Sequence, residues 1–220
     1  MTTERERQLE EVLARMLQPA KGIPFEVVIR SLCGVGVEKF DVTQPDNKEA
    51  LDKIVDALRK TCRTVQAKPI ERPRPNEVGN DMEPFVINAL KANGLKAAPP
   101  KTKAGLGKAT GYPDIKIETG KLPIYLEVKS YAATTADSSM RSFYLSPAED
   151  PKVSDDGYHL LVGFEIERNG NLYTPVGFGL VDLYGLNCDM KAEFNSDNRR
   201  LYEKKRLLAK EKVPPNGRPA

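Results

Sequence analysis

From Gly111 to Lys129 the chain reads Gly-Tyr-Pro-Asp-Ile-Lys-Ile-Glu-Thr-Gly-Lys-Leu-Pro-Ile-Tyr-Leu-Glu-Val-Lys, two alternating runs around a turn. Asp114 to Glu118 and Ile124 to Lys129 place apolar residues at every second position, the period of a strand with one buried face. If the turn is the four residues Thr119 to Leu122, Glu118 pairs with Pro123, and the register carries Asp114 to the position opposite Glu127. Directly opposed residues leave the same sheet face with Cβ atoms about 4.5 to 5.5 Å apart, so two carboxylates meet there and repel unless a positive charge sits between them. A divalent cation meets that need. Lys129, two residues beyond Glu127, shares its face and brings an ammonium alongside.

Around this hairpin the periodicities predict an α+β chain, a mostly helical first part followed by strands. Thr3 and Glu6 have capping-box spacing ahead of Leu9, Val12, Leu13, Met16 and Leu17, predicting a helix over 3–18. Pro24 opens a helical segment carrying Phe25, Val28, Ile29 and Leu32 that Gly34 stops, and 37–42 has the composition of a short strand. Asp46 and Glu49 repeat the capping-box spacing before a helix bearing Leu51, Ile54, Val55 and Leu58 and running to about Arg63. Residues 1–70 therefore read as a mostly helical lobe. Lys-Pro-Ile-Glu-Arg-Pro-Arg-Pro, residues 68–75, reads as a linker.

The second unit, 71–194, opens with a helix from Asp81, with Pro84 in its first turn and Asn93-Gly94 at its end. Strands follow at 114–118, 124–129, 159–166 and 173–183. Residues 195–212 are expected to form a charged helix that carries Arg199, Arg200, Lys204, Lys205, Arg206 and Lys210, and the last residues of 195–220 a disordered tail.

Composition narrows the chemistry. No apolar run approaches the roughly 20 residues that span a bilayer, and the start of the chain lacks the apolar core of a secretory signal, so the chain is not expected in a membrane. Cys33, Cys62 and Cys188 are odd in number and unpaired in spacing, which fits reduced thiols in a cytoplasm. With a single histidine, His159, no multi-histidine metal site can form, so a catalytic metal must be held by oxygen and would be of the Mg²⁺ type. A net charge of +3 is too mild to identify a nucleic-acid partner unaided.

Mg²⁺ keeps several waters in a near-octahedral shell, so Asp114, Glu127 and the carbonyl of Val128 would leave positions for a phosphate oxygen and a water, with Lys129 beside them. The pair Pro113-Asp114 followed by Glu127-Val128-Lys129 resembles the motif of the PD-(D/E)XK nuclease superfamily, over roughly residues 77–185. That resemblance implies a mixed sheet flanked by helices and metal-dependent hydrolysis of double-stranded DNA by a catalytic set of Asp114, Glu127 and Lys129. Many members also carry a glutamate on the helix before the hairpin, and Gly79-Asn-Asp-Met-Glu83 is similar, which makes Glu83 an auxiliary ligand or water-positioner. By size and single core the chain looks most like a type II restriction endonuclease, for which a homodimer would match a palindromic target.

The loop 101–111 holds Lys101, Lys103 and Lys108 among glycines that let backbone approach phosphates. Ser139 and Arg141, in a hydroxyl-rich stretch after Lys129, suit phosphate and base-edge contacts. The bland readings are a flexible surface loop and a polar connection; for Glu127 and Lys129 the bland reading is a solvated strand face. His159, alone before an apolar strand, reads as a structural residue. The rival functions are a structure-specific repair or junction-resolving nuclease on the same core, a non-catalytic DNA-binding module, and a scaffold bearing the motif by chance.

Overall fold

The computed structural model describes residues 3–18, 20–73, 78–132, 143–191 and 195–209. In chain order the elements are α1 (Glu4–Met16), β1 (Ile23–Pro24), α2 (Phe25–Cys33), β2 (Val37–Glu38), α3 (Pro45–Ala67), β3 (Ile70–Glu71), α4 (Val78–Ala92), β4 (Lys96–Ala98), β5 (Ile115–Glu118), β6 (Ile124–Ala132), β7 (Gly157–Asn169), β8 (Leu172–Asp182), β9 (Asn187–Cys188) and α5 (Asn198–Leu201). They divide into two compact units, Lys21–Cys188 and a unit made of the chain's two ends. Among the described residues no helix is long and apolar enough to cross a membrane.

The larger unit is built on a mixed sheet in the order β3-β8-β7-β6-β5-β4, with β2 added in parallel beside β7. β6 is its centre, antiparallel to β5 and parallel to β7. The expected hairpin register is the observed one, with Ile115 opposite Leu126 and Ile117 opposite Ile124. One face of β6, Ile124, Leu126 and Val128, is buried in a core shared with Ile54, Leu58 and Val65 of α3 and Met82, Val86 and Leu90 of α4. On the other face Tyr125 joins Phe25, Ile29 and Cys33 of α2, Val153 and Leu183. α2 and α3 thus share buried cores with the sheet that carries the hairpin, the α+β arrangement read from the periodicities.

Several boundaries differ from the sequence expectation, each for a physical reason. α3 starts at Pro45 rather than at an Asp46 cap: Pro45 occupies the first helical position, where its missing N–H costs nothing, and Gln44 is the N-cap. Asp46 instead pairs with Lys121 at 3.2 Å. α4 starts at Val78, so Pro84 lies inside the helix and not in its first turn. Burial of Val78 in the core and the two-bonded Arg72–Asp81 ion pair, both contacts 2.6 Å, override the breaker signal of Gly79-Asn80. The expected linker contains β3, whose Ile70 is buried and pairs with Tyr173 of β8. The strand expected at 37–42 shortens to β2.

In the smaller unit α1 realises the Thr3–Glu6 capping box, and its apolar residues Leu9, Val12 and Met16 remain exposed. The charged helix expected over 195–212 is helical only at Asn198–Leu201 among the described residues. Like charges one turn apart, such as Arg200 and Lys204, destabilise a helix with little apolar surface to bury, and the chain turns back instead, with Arg206 N–H donating to the Glu203 carbonyl at 2.8 Å. The end of that run and the tail after it lie outside the described residues.

Candidate active site

The hairpin brings the predicted residues together on the face of β6 opposite α3 and α4. Asp114 ends the turn Gly111-Tyr112-Pro113, where Gly111 has φ +89°, a backbone conformation that excludes most side chains. Its carboxylate reaches across to β6, where the Val128 N–H donates to Asp114 Oδ2 at 2.8 Å. Glu127, expected on the bland reading to face solvent, is 4% exposed. Its Oε1 accepts from the Lys129 ammonium at 2.5 Å, whereas Oε2 is buried with no partner.

Glu83 approaches from α4. Gly79, one turn earlier on the same helix face, has room for close passage of β6: a Cβ there would meet Ser130 Oγ at 3.5 Å. The charges confirm the proximity. Burial, and then the Asp114 carboxylate, push Glu83 up to about 7 against the opposing pull of Lys129 and Lys152. The same two causes, in the same order, push Glu127 up to about 7, with Lys129 opposing and Glu83 adding to the rise. For Lys129 burial favours the neutral amine, but Glu127 and Asp114 outweigh it and its pKa is raised.

One charged residue of this cluster escaped sequence reasoning. Lys152, just before β7, is 5% exposed, and its ammonium donates to the carbonyls of Gly111 at 2.7 Å and Pro113 at 3.2 Å. Burial lowers its pKa, while Asp114, Glu127 and Glu83 oppose the fall. Nothing local in Asp-Pro-Lys-Val marks it; only the fold brings residue 152 beside residue 114.

The loop 101–111 is tied down rather than loose. Lys101 bridges Gly107, the Lys103 N–H donates to the Pro151 carbonyl at 3.0 Å, and the Ala104 N–H donates to Asp150 Oδ1 at 3.1 Å. All three lysines are exposed, and the Lys103 ammonium donates to the Cys33 carbonyl at the end of α2. Ser139 and Arg141 lie outside the described residues. His159 is fully buried among Phe25, Tyr112 and Tyr125, shares a 2.6 Å hydrogen bond with the Tyr112 hydroxyl, and is pushed by burial down to about 3. It is a neutral core residue.

Chemically, the hairpin presents a buried carboxylate with an unpartnered oxygen, a second carboxylate whose charge disfavours the first, and an ammonium holding the first in place. Such a set fits a divalent cation, which would satisfy the orphaned oxygen and relieve the repulsion. Among the described residues no three acidic, cysteine or histidine side chains already converge on one point.

The family model described as the type II restriction enzyme MjaV family matches residues 18–205 of the chain. Type II restriction enzyme MjaV of Methanocaldococcus jannaschii is 37% identical over 218 residues, covering 91% of this chain and 94% of that relative. No solved structure gives a significant match.

Proposed function

The chain belongs to the MjaV family of type II restriction enzymes, which are endodeoxyribonucleases, and on that premise we propose that it hydrolyses double-stranded DNA at a specific sequence with Mg²⁺ held on the β5–β6 hairpin. The observation that carries this reading is the buried Glu127 carboxylate, one oxygen unpartnered, beside Asp114 and Lys129. The centre is of the PD-(D/E)XK type. Asp114, Glu127 and the Val128 carbonyl would hold Mg²⁺, and Glu83 would act as auxiliary ligand or water-positioner. When bound, Mg²⁺ neutralises charge developing on the phosphoryl oxygens and makes water a better nucleophile.

The protein's own groups do the rest. The Lys129 ammonium is engaged by Glu127. Once released, its ammonium orients the attacking water and stabilises negative charge on the phosphate, in a site dry enough for that charge to count. Water adds to phosphorus and gives up one proton to solvent, one P–O bond to sugar breaks, and the departing oxygen takes up a proton from solvent. Glu83, whose carboxyl stays protonated up to about 7, is suited to exchange a proton near neutrality.

Lys101 and Lys108, exposed on the loop that leads into Asp114, would steer the DNA backbone, with Lys103, Ser139 and Arg141 as further contacts. The chemistry resides in 71–194, to which α2 and α3 contribute packing. A two-fold dimer would match a palindromic target. The three free thiols suit a reducing cytoplasm.

Incubation of the purified protein with phage DNA and Mg²⁺, followed by sequencing of the product ends, tests the activity: discrete fragments with a common end sequence are expected, and none with a chelator. The variant Lys129→Ala is expected to bind DNA and leave it intact. Cleavage by Lys129→Ala at the parent rate would refute the assignment of that residue.

A further inference from the structure

Lys152 is a nearly fully buried ammonium that the hydrolytic scheme does not use. It is 5% exposed, and among the described residues it has no ion-pair partner; both of its hydrogen bonds go to backbone carbonyls. Those carbonyls, of Gly111 and Pro113, flank the turn whose next residue is Asp114. Burying an uncompensated ammonium costs several kcal/mol, far more than a neutral clamp on the same turn would cost. The charge must therefore be offset by something beyond the two carbonyls. Asp114 is the carboxylate that acts on it most strongly, followed by Glu127 and Glu83.

We infer that Lys152 is a positioning residue for Asp114: it clamps the Gly111–Pro113 backbone and sets a fixed positive charge behind the carboxylates, so that Asp114 keeps its place when Lys129 leaves Glu127. This rests on the assignment of Asp114 as a metal ligand. A purely structural clamp would need two donors and no charge. A positioning charge predicts an additional effect on how the site takes up a cation, and on turnover rather than on DNA affinity, because a displacement of about 1 Å at a reacting centre can cost about a hundredfold in rate.

The test compares the full-length parent with Lys152→Gln, Lys152→Met, Asp114→Asn and the double variant Lys152→Gln/Asp114→Asn. Lys152→Gln keeps an N–H donor and removes the charge, and it carries the test if Lys152→Met does not fold. Two quantities are read: Mn²⁺ binding by calorimetry without DNA, and cleavage kinetics with Mg²⁺. For Lys152→Gln, Mn²⁺ binding is expected to weaken about tenfold and kcat to fall about a hundredfold, with KM for DNA within about threefold of the parent. In the Asp114→Asn background the same change should add almost nothing to the loss of Mn²⁺ binding, since residues acting through one group are not additive. A Lys152→Gln protein that melts lower but binds Mn²⁺ and turns over like the parent reduces Lys152 to a clamp and overturns the inference alone. If Asp114→Asn itself keeps parent Mn²⁺ binding and cleavage, the reading of the site fails, and the inference with it.

Discussion

Two buried polar clusters stand next to each other on the same face of β6 and β7, and they solve burial in opposite ways. Tyr125 and His159 are paired across the strands, and two residues further along β6 comes Glu127, with Lys129 beyond it. Around His159 the rings of Phe25, Tyr112 and Tyr125 exclude water, and burial drives the imidazole down to about 3 and the Tyr112 hydroxyl well above its ordinary value. Both groups are neutral, and the unpartnered His159 Nε2 costs only what a neutral polar atom costs, about 1–3 kcal/mol. Around Glu127 the Lys129 ammonium is kept, and burial with the opposed Asp114 carboxylate pushes Glu127 up to about 7, where it still ionises near neutrality. A fold retains such a cluster where a ligand completes it; where no ligand comes, burial removes the charge. The first cluster is architecture, and the second is where the proposed metal site lies.

The sharpest way to break this contrast is Glu127→Gln. In cleavage it should cost about a thousandfold or more, equivalent to about 4 kcal/mol of transition-state stabilisation. In the metal-free protein it should do the reverse and stabilise, because it removes the more buried of the two paired charges and leaves Lys129, whose side chain is 30% exposed against 5% for Glu127. The pH dependence fixes the sign. Glu127 has a folded pKa raised from 4.5 to about 7, so its favourable contribution is complete below about 4.5 and is lost as pH rises through about 7. The variant should therefore be more stable than the parent at pH 8, by about 1–2 kcal/mol, and lose that advantage at pH 5. Denaturant unfolding in chelator at both pH values measures it. A variant less stable than the parent at pH 8 would mean that Glu127 is a structural acid.

The two clusters were not equally legible in the chain. The Glu127 side could be read because β-hairpin register is local: alternation and a four-residue turn sufficed to bring Asp114 beside Glu127, and the ladder Ile115–Leu126, Ile117–Ile124 follows that register. The aromatic cluster and Lys152 could not, because Phe25, Tyr112 and His159 come together, and Lys152 reaches the Gly111 and Pro113 carbonyls, only through tertiary packing. Capping signals succeeded where nothing competed, at Thr3 and Glu6, and failed at Asp46, where Pro45 already held the first helical position. Gly79 in the first turn hid the start of α4, which burial of Val78 and the Arg72–Asp81 pair extend backward. Short-range rules gave way wherever a long-range contact was worth more than the local preference.

Gly157 tests the architectural cluster from its edge. An added Cβ would lie 2.7 Å from the Pro123 carbonyl oxygen and 3.0 Å from the Tyr125 ring, and the first of these is backbone that cannot swing away. Gly157→Ala is expected to cost about 3 kcal/mol in denaturant unfolding, at the upper end for overpacking a core. Below its melting temperature, kcat should stay within about threefold of the parent, since the strain falls on the start of β7 rather than on Glu127. A large loss of kcat at preserved stability would mean that the aromatic cluster sets the position of the catalytic face, and the division between the two would fail.

The smallest effect is also the most specific to His159. Its folded pKa, near 3, lies below its ordinary 6.5, so the folded protein resists a proton that the unfolded chain accepts. The contribution of the neutral ring is intact above about 6.5 and declines as pH falls from there toward 3. Over the interval from 6.5 to 5 that decline amounts to about 2 kcal/mol, at 1.36 kcal/mol per pKa unit. His159→Phe keeps an aromatic ring among Phe25, Tyr112 and Tyr125 but cannot be protonated. It also leaves the Tyr112 hydroxyl without the Nδ1 partner it has at 2.6 Å, a cost of about 1 kcal/mol that is the same at every pH. The variant should then be the less stable protein at pH 7.5 and at least equal to the parent at pH 5. Carboxylates elsewhere titrate in both proteins and cancel in the difference. Parallel stability curves for parent and variant between pH 7.5 and 5 would show that His159 accepts its proton within the fold, and the aromatic cluster would have to be counted with the charged one.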